Sequence, residues 1–353
     1  MKVAIITDTH FGARNDSDFF SNYFYEFYEG VFFPYLEQHN IKTVFHLGDL
    51  MDRRKYVSFK TAEEFRERFI FPLQHLKIDF HCLVGNHDIY YKNTNDVNSL
   101  KELIGNANSK FHLYEDATEV NVGGLAILFM PWINPQYYIY SMGMIDETKA
   151  GICMGHLEVK GFQMHKGQCS NTGYAKDTFQ KFHTVFSGHF HHKSDDGQIY
   201  YLGTPYEIYW NDHNDPKGFH IFDTETLELE RIVNPLKMFE KIYYDDTDRD
   251  YANEDVSKYE KKFVKLIIVN KKDLYQYDRF VDRLMKANAH EVKIVEDFSD
   301  MQADSVSDDI VKYAEDTNTL LNKYIDELEI DLDKDRLKGM MRGLYNEAQD
   351  LEI

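Results

Sequence analysis

The chain has 353 residues, 43% of them hydrophobic and 15% aromatic, enough for about two to three domains with a large buried core. Its net charge of −20 argues against a protein that grips nucleic acid over its whole surface, because phosphate contacts need Lys and Arg. No run of 18 apolar residues is present, so no membrane span is expected.

The opening "MKVAIITDTHFG" turns acidic at Asp8 without a small-residue cleavage site, and reads as a first β-strand rather than a signal peptide. Further strand candidates follow at 43–49, 79–88, 124–132, 151–156 and 183–189, each a short apolar run ending in glycine or polar residues. Helical periodicity fills 17–40 and 59–76, with a shorter helix at 97–105. Strands alternating with helices predict a layered α/β domain, with functional loops following the strand C-termini. "QIYYLGTPY" and "GFHIFDTETLELERIV" extend it as an antiparallel continuation with a turn near Thr224.

Pro235 marks the expected end of this first domain, 1–235. Residues 236–298 then read as a small α+β module: a strand at 261–270, a helix at 272–287 and a strand at 290–298. Residues 299–309 have linker composition, small and acidic. Two amphipathic helices, about 310–328 and 334–350, complete the chain within the segment 310–353. Residues 301–353 hold 14 acidic against 6 basic side chains, so the acid excess is uneven and leaves room for a basic partner elsewhere. The three cysteines, Cys82, Cys153 and Cys169, form no C-x-x-C pair, as expected for reduced thiols in the cytoplasm.

Five strand ends finish in metal-ligand residue types: Asp8 and His10, Asp49, Asn86 and His87, His156, and His189 and His191. A lone histidine after a strand is usually a loop or core residue. Five such ends in series, expected on one edge of one sheet, point instead to a site beyond the strand C-termini. His46, inside an apolar run, reads as a core histidine, and Cys82 and Cys153 as packing residues.

The set Asp8-Thr-His10, Gly48-Asp49-Leu-Met-Asp52, Gly85-Asn86-His87-Asp88, Gly155-His156 and Gly188-His189-Phe-His191 resembles the calcineurin-like metallophosphoesterase family, all five motifs standing in order. The resemblance implies two divalent ions, Mn²⁺ before Mg²⁺, Fe or Zn²⁺. One would take Asp8, His10, Asp49 and His191; the other would take Asp49, Asn86, His156 and His189. Two carboxylates leave such a pair about +2, which draws in phosphate and favours in-line attack by a hydroxide held between the ions. His87 is the implied general acid or transition-state stabiliser. Asp52 and Asp88 either orient its surroundings or are ordinary loop caps. In an extended segment His189 and His191 share a side while His192 faces away, a bystander to the ligand pair.

The order of a phosphoesterase domain, small module, linker and helical pair resembles the nuclease subunit of the SbcCD and meiotic recombination complexes, the T-even-phage branch most of all. That resemblance implies a double-strand exonuclease and single-strand endonuclease in DNA recombination and repair, soluble in the (host) cytoplasm. The small module, 236–298, would cap the active site and help present DNA, and the partner would be a coiled-coil ABC-type ATPase bound through 310–353, in a heterotetramer built on a homodimer. The lesser alternative for the tail is a helical hairpin packed on its own domain. The aromatic stretch 19–38 reads either as a dimer interface or as a helix packed between sheet and neighbours. The position of Asp52 is His in many cellular relatives, which leaves the balance of exonuclease and endonuclease activity open. Arg53, Arg54 and Lys55 form the best basic cluster beside a motif and are the candidate DNA contacts. A phosphomonoesterase and a non-catalytic DNA-end-binding subunit remain alternatives.

Overall fold

A computed structural model describes residues 1–105, 109–295 and 334. The expected linker at 299–309, the helical pair within 310–353, save Lys334, and the last three residues of the expected strand at 290–298 lie outside the described residues.

Strands β1 (Lys2–Ile6), β2 (Thr43–His46), β3 (Asp79–Leu83) and β4 (Phe111–Tyr114) are successive parallel neighbours. β5 (Thr118–Val122) turns back against β6 (Leu125–Met130), which runs parallel to β7 (Ile152–His156). A hairpin of β8 (Gln163–His165) and β9 (Gln168–Cys169) leads to β10 (Thr184–Gly188), parallel to β7. β11 (Ser194–Asp195) and β12 (Ile199–Tyr201) extend that sheet beyond β10. β13 (Gly218–Asp223) returns to pair antiparallel with β1, and β14 (Leu229–Val233) forms the outer edge.

The result is two six-stranded sheets, β14-β13-β1-β2-β3-β4 and β11-β12-β10-β7-β6-β5, rather than the one sheet expected. β12 also departs from expectation, since it pairs parallel to β10 and belongs to the second sheet. Alternation along the strands builds three cores. Val3, Ile5, Phe45 and Leu83 meet Phe129, Ile152, Met154 and Phe186 between the sheets. Ala4, Ile6, Val44 and Phe80 pack outward onto helices, as do Leu128, Cys153 and Val185 on the other side. Four layers, αββα, therefore bury both faces of each sheet.

Helix α1 runs from Asp18 through Gln38 and α2 from Phe59 through His75. Each contains one π-turn, at Tyr28–Phe32 and Arg66–Ile70, immediately before "FP". Pro34 and Pro72 have no N–H to give and would clash with the carbonyl four residues back. Widening the preceding turn, with Phe33 N–H bonded to the Tyr28 carbonyl and Phe71 N–H to that of Arg66, lets both helices continue. Phe20, Phe24, Tyr25, Phe27, Tyr28 and Phe32 of α1 are all buried within the chain. Its wide aromatic face is thus taken up by the core and gives no support for a dimer interface.

The shorter helices are α3 (Ser99–Leu103) and α4 (Tyr138–Glu147). Beyond β14 comes a small all-parallel sheet, β15 (Phe239–Asp245), β16 (Phe263–Asn270) and β17 (Glu291–Val295), covered by α5 (Leu274–Met285). Tyr244, Tyr251, Leu266, Phe280 and Leu284 form its own core. It docks on the larger body where Phe239 and Phe263 meet Phe20 of α1, and where His290 stacks on Phe19 at 3.8 Å. Among the described residues no helix is long and apolar enough to cross a membrane.

Candidate metal centre

The C-terminal ends of β1, β2 and β3 in one sheet and of β7 and β10 in the other meet at a common edge. Asp8, His10, Asp49 and Asn86 come from the first sheet, and His156, His189 and His191 from the second. The loops are laced together: Asp8 N–H donates to the Gly48 carbonyl, and Thr9 and His10 N–H donate to that of Asp49. His189 N–H crosses from the second sheet to the Asp8 carboxylate at 3.0 and 3.1 Å.

Two of the motif glycines are required by close approach. A Cβ on Gly85 would sit on the backbone N and Oδ1 of Asp49, and one on Gly188 on Thr7 Oγ1 and the Asp8 carboxylate. Asp8, His10, Asp49 and His189 all have left-handed backbone, with φ of 52, 45, 54 and 86°. Each such non-glycine residue costs about 1–2 kcal/mol, strain that collects where side chains must be aimed at a shared point. The bend at His189 also revises how "GHFHH" works, because the segment is not extended. His189 turns toward Asn86, with Nδ1 2.9 Å from its Oδ1, and His191 toward His10, with the two Nε2 atoms 3.0 Å apart. Phe190 is buried on Tyr201, and His192 turns away to Asp215 at 3.1 Å.

Two donor sets result: Asp8, His10 and His191, and Asp49, His156 and His189, each with its ligand atoms within 4.8 Å of one another. His156 shows what such a set needs. Its Nδ1 lies 2.8 Å from the Leu47 carbonyl oxygen and so carries the proton. Its Nε2 then faces two more acceptors, Asn86 Oδ1 at 3.0 Å and Asp49 Oδ2 at 3.3 Å. Three acceptors converge favourably only around a cation. Without metal that cation is a proton: burial opposes the charge on His156, but Asp49 and Asp8 outweigh it and push the imidazole up to about 9. His10 is raised as well, where Asp52, Asp49 and Asp8 overcome its burial. Buried carboxylate, imidazole and amide oxygens with no thiolate fit divalent ions of intermediate hardness.

His87 sits at the open side of this site, half-buried, with its ring 5.0 Å from that of His10. Its Nδ1 is 2.6 Å from the Asp52 carbonyl oxygen and its N–H donates to Asp49 Oδ1, which leaves Nε2 outward. Asp52 also places its carboxylate 3.4 Å from His10 Nδ1. Asp88 is fully buried and accepts the N–H groups of Leu50, Met51 and Gly85, so it ties two motif loops together. His46 is a core histidine, as the sequence indicates: its Nε2 meets Thr9 Oγ1 at 3.0 Å, and burial pushes its pKa down to about 3. Arg53 is held by Asp16 and Asn15 and lies over Tyr56, while Lys55 is exposed.

Sequence reasoning missed several groups that shape the site. Trp132 packs 5.1 Å from the His189 ring. Lys217, only 3% exposed, donates to the His191 carbonyl at 2.9 Å and pairs with Asp212 and Asp215. A charged triplet in "WNDHNDPKG" signals little by itself, though a lysine preceded at short range by two acids is compatible with a buried ion pair.

An αββα sandwich with His/Asp donor sets at its shared strand ends defines a metallophosphoesterase. The calcineurin-like phosphoesterase profile matches residues 1–193, and the chain belongs to that family. It is 29% identical over 352 residues to "Exonuclease subunit 1" of Enterobacteria phage T4, covering 99% of both chains. Among solved structures, an archaeal phosphodiesterase is 17% identical, with 66% of this chain and 100% of that one covered and a TM-score of 0.35. A Danio rerio dimetal phosphatase is 11% identical, with 63% and 91% covered and a TM-score of 0.36.

Proposed function

We propose that the chain is a metal-dependent DNA nuclease acting as one subunit of a recombination and repair complex. The observation that carries this reading is the pair of buried donor sets, joined to a similarity with a phage exonuclease subunit that spans the small module and tail as well as the phosphoesterase domain. Asp8, His10 and His191 would hold one ion and Asn86, His156 and His189 the other, with Asp49 between them. Two divalent ions, Mn²⁺ foremost, would supply the positive charge that draws a phosphodiester and acidifies water.

The protein's own groups do the rest. The Asp52 carbonyl accepts Nδ1–H of His87 and so turns Nε2 outward, from where the imidazolium form can pass its Nε2 proton to the departing sugar oxygen and be left neutral, a step worth about 10²–10⁴ in rate. The cap sheet stands beside α1, where it can present DNA, and Arg54 and Lys55 are the nearby cations for its backbone. An ABC-type ATPase would bind through 310–353, in a heterotetramer in the cell cytoplasm.

Purified protein with Mn²⁺ is assayed on double-stranded DNA and on p-nitrophenyl phosphate, with and without the ATPase. DNA cleavage is expected, lost with metal in Asp49→Asn and lost with metal retained in His87→Ala. Robust monoester hydrolysis without DNA cleavage would overturn the reading in favour of a phosphomonoesterase. Tight DNA-end binding without either activity would favour a non-catalytic subunit.

A further inference from the structure

We propose that Asp79, His81 and His112 form a separate site for a single divalent transition-metal ion, Zn²⁺ in preference to Mg²⁺ or Mn²⁺, at the far edge of the first sheet. The strand register itself brings these donors together. Asp79 and His81 are two residues apart on β3 and so face the same side, and His112 is the direct partner of His81 on β4. His112 Nε2 lies 2.8 Å from Asp79 Oδ1, and His81 Nε2 lies 3.5 Å from Asp79 Oδ2. The three ligand atoms fall within 4.8 Å of one another. A tetrahedral zinc with bonds of about 2.0–2.1 Å needs ligand atoms about 3.3 Å apart, so small side-chain adjustments suffice.

The ring of His81 is already prepared for this role. It is 6% exposed and wedged beside Phe45 and Phe129, while its Nδ1 meets the Tyr114 hydroxyl at 2.7 Å. With an ion bound, Nδ1–H would be given to the phenol oxygen and Nε2 would offer its lone pair on the Asp79 side, the outer hydrogen bond that metal-binding histidines characteristically have. Asp79 supplies the negative charge. The Asp79 and His112 side chains are 44% and 40% exposed, so an ion can reach them and water can complete the shell. Two imidazoles and one carboxylate suit Zn²⁺, whereas Mg²⁺ prefers an all-oxygen octahedron.

This site is distinct from the paired donor sets. His81 lies five residues before Asn86, on the order of 15 Å along an extended chain. Its place gives it a structural effect, because β4 is the outer strand of its sheet and a bound ion would tie that strand to β3.

The test is calorimetric titration of ZnCl₂ into the chelator-stripped full-length chain. Wild type should show one more zinc-binding event than His112→Ala or Asp79→Asn, and excess Mg²⁺ should not suppress that event. Asp49→Asn, which removes a donor from the main centre, should leave it intact. Tyr114→Phe should keep its stoichiometry while weakening its affinity about 10–100-fold. Equal zinc stoichiometry and affinity in wild type and His112→Ala would overturn the proposal and reduce the triad to a hydrogen-bonded cluster. Melting in EDTA checks that each variant folds, and His112→Gln replaces any that does not.

Discussion

Lys217 Nζ donates to the main-chain carbonyl of His191 at 2.9 Å, from a position where the lysine is 3% exposed. The same ammonium lies 2.7 Å from Asp212 and 2.8 Å from Asp215, and Asp215 in turn pairs with His192. A residue 26 positions away in sequence therefore fixes the loop that aims His191 at His10. Lys217→Met should leave two acids buried without their cation and cost about 3–5 kcal/mol. In folded variant at low temperature, one metal should bind more weakly and the other nearly normally. Urea unfolding and metal titration check both parts, and unchanged metal affinity would remove the positioning role.

Glu207 is the titrating group at the junction with the cap. It is 3% exposed, and its Oε2 accepts the N–H groups of Met238 and Phe239 at 2.6 and 2.9 Å. Burial raises its pKa to about 7 against the partial relief from those two bonds. A folded pKa above the unfolded value of about 4.5 means the protonated form is favoured by folding. That stability is fully present below pH 4.5 and is lost as pH rises through about 7. Glu207→Gln keeps an acceptor without the charge, so it should match wild type near pH 4 and exceed it by about 2–3 kcal/mol at pH 8. Denaturant midpoints across that range read the difference directly.

Much of the site is legible because each motif is local. A strand, a glycine turn and a ligand-type residue lie within a few positions, and the Gly85 and Gly188 contacts show why those turns tolerate nothing larger. The arrangement above that level is not local. Nothing in "MGH" or "GHFH" tells that β7 and β10 belong to a second sheet, because a strand buried on both faces reads as the same continuous apolar run in either. β15 was hidden for a different reason: only Phe239, Ile242 and Tyr244 are buried along it, an irregular spacing that ends in a register shift at Asp245. The π-turns let both helices continue past Pro34 and Pro72, and one widened turn is too short to be told from a uniform helix in the sequence. Lys217 escaped because irregular loops carry no period from which burial can be read.

Leu227 offers a stabilising change that leaves the site alone. It sits in the turn between β13 and β14 with φ of 62°, its N–H donating to the Asp223 carbonyl at 2.8 Å. A leucine in left-handed backbone is strained, and at 51% exposure it gains little from burial. Asn is far better tolerated there, so Leu227→Asn should gain about 0.5–1 kcal/mol. Metal content and nuclease activity should not move. A loss of stability would show that the half-buried side of Leu227 outweighs its backbone strain.

Gly85 provides the sharpest test of how the two motif loops share space. Its Cα lies against Asp49, so the Cβ of Gly85→Ala would meet the Asp49 backbone N and carboxylate oxygen at once. Neither can yield alone: Asp49 Oδ1 also accepts the His87 N–H, and Asp88 accepts the Gly85 N–H at 2.9 Å. The loops must separate, which moves Asp49 away from His156 and His87 away from the open side of the site. Loss of metal and activity together is therefore expected, with overpacking costing about 1–3 kcal/mol of stability. His192→Ala is the matched control, since that side chain faces Asp215 and should retain metal nearly as wild type. If Gly85→Ala kept full metal content, the close approach of these loops would not be what sets the ligand geometry.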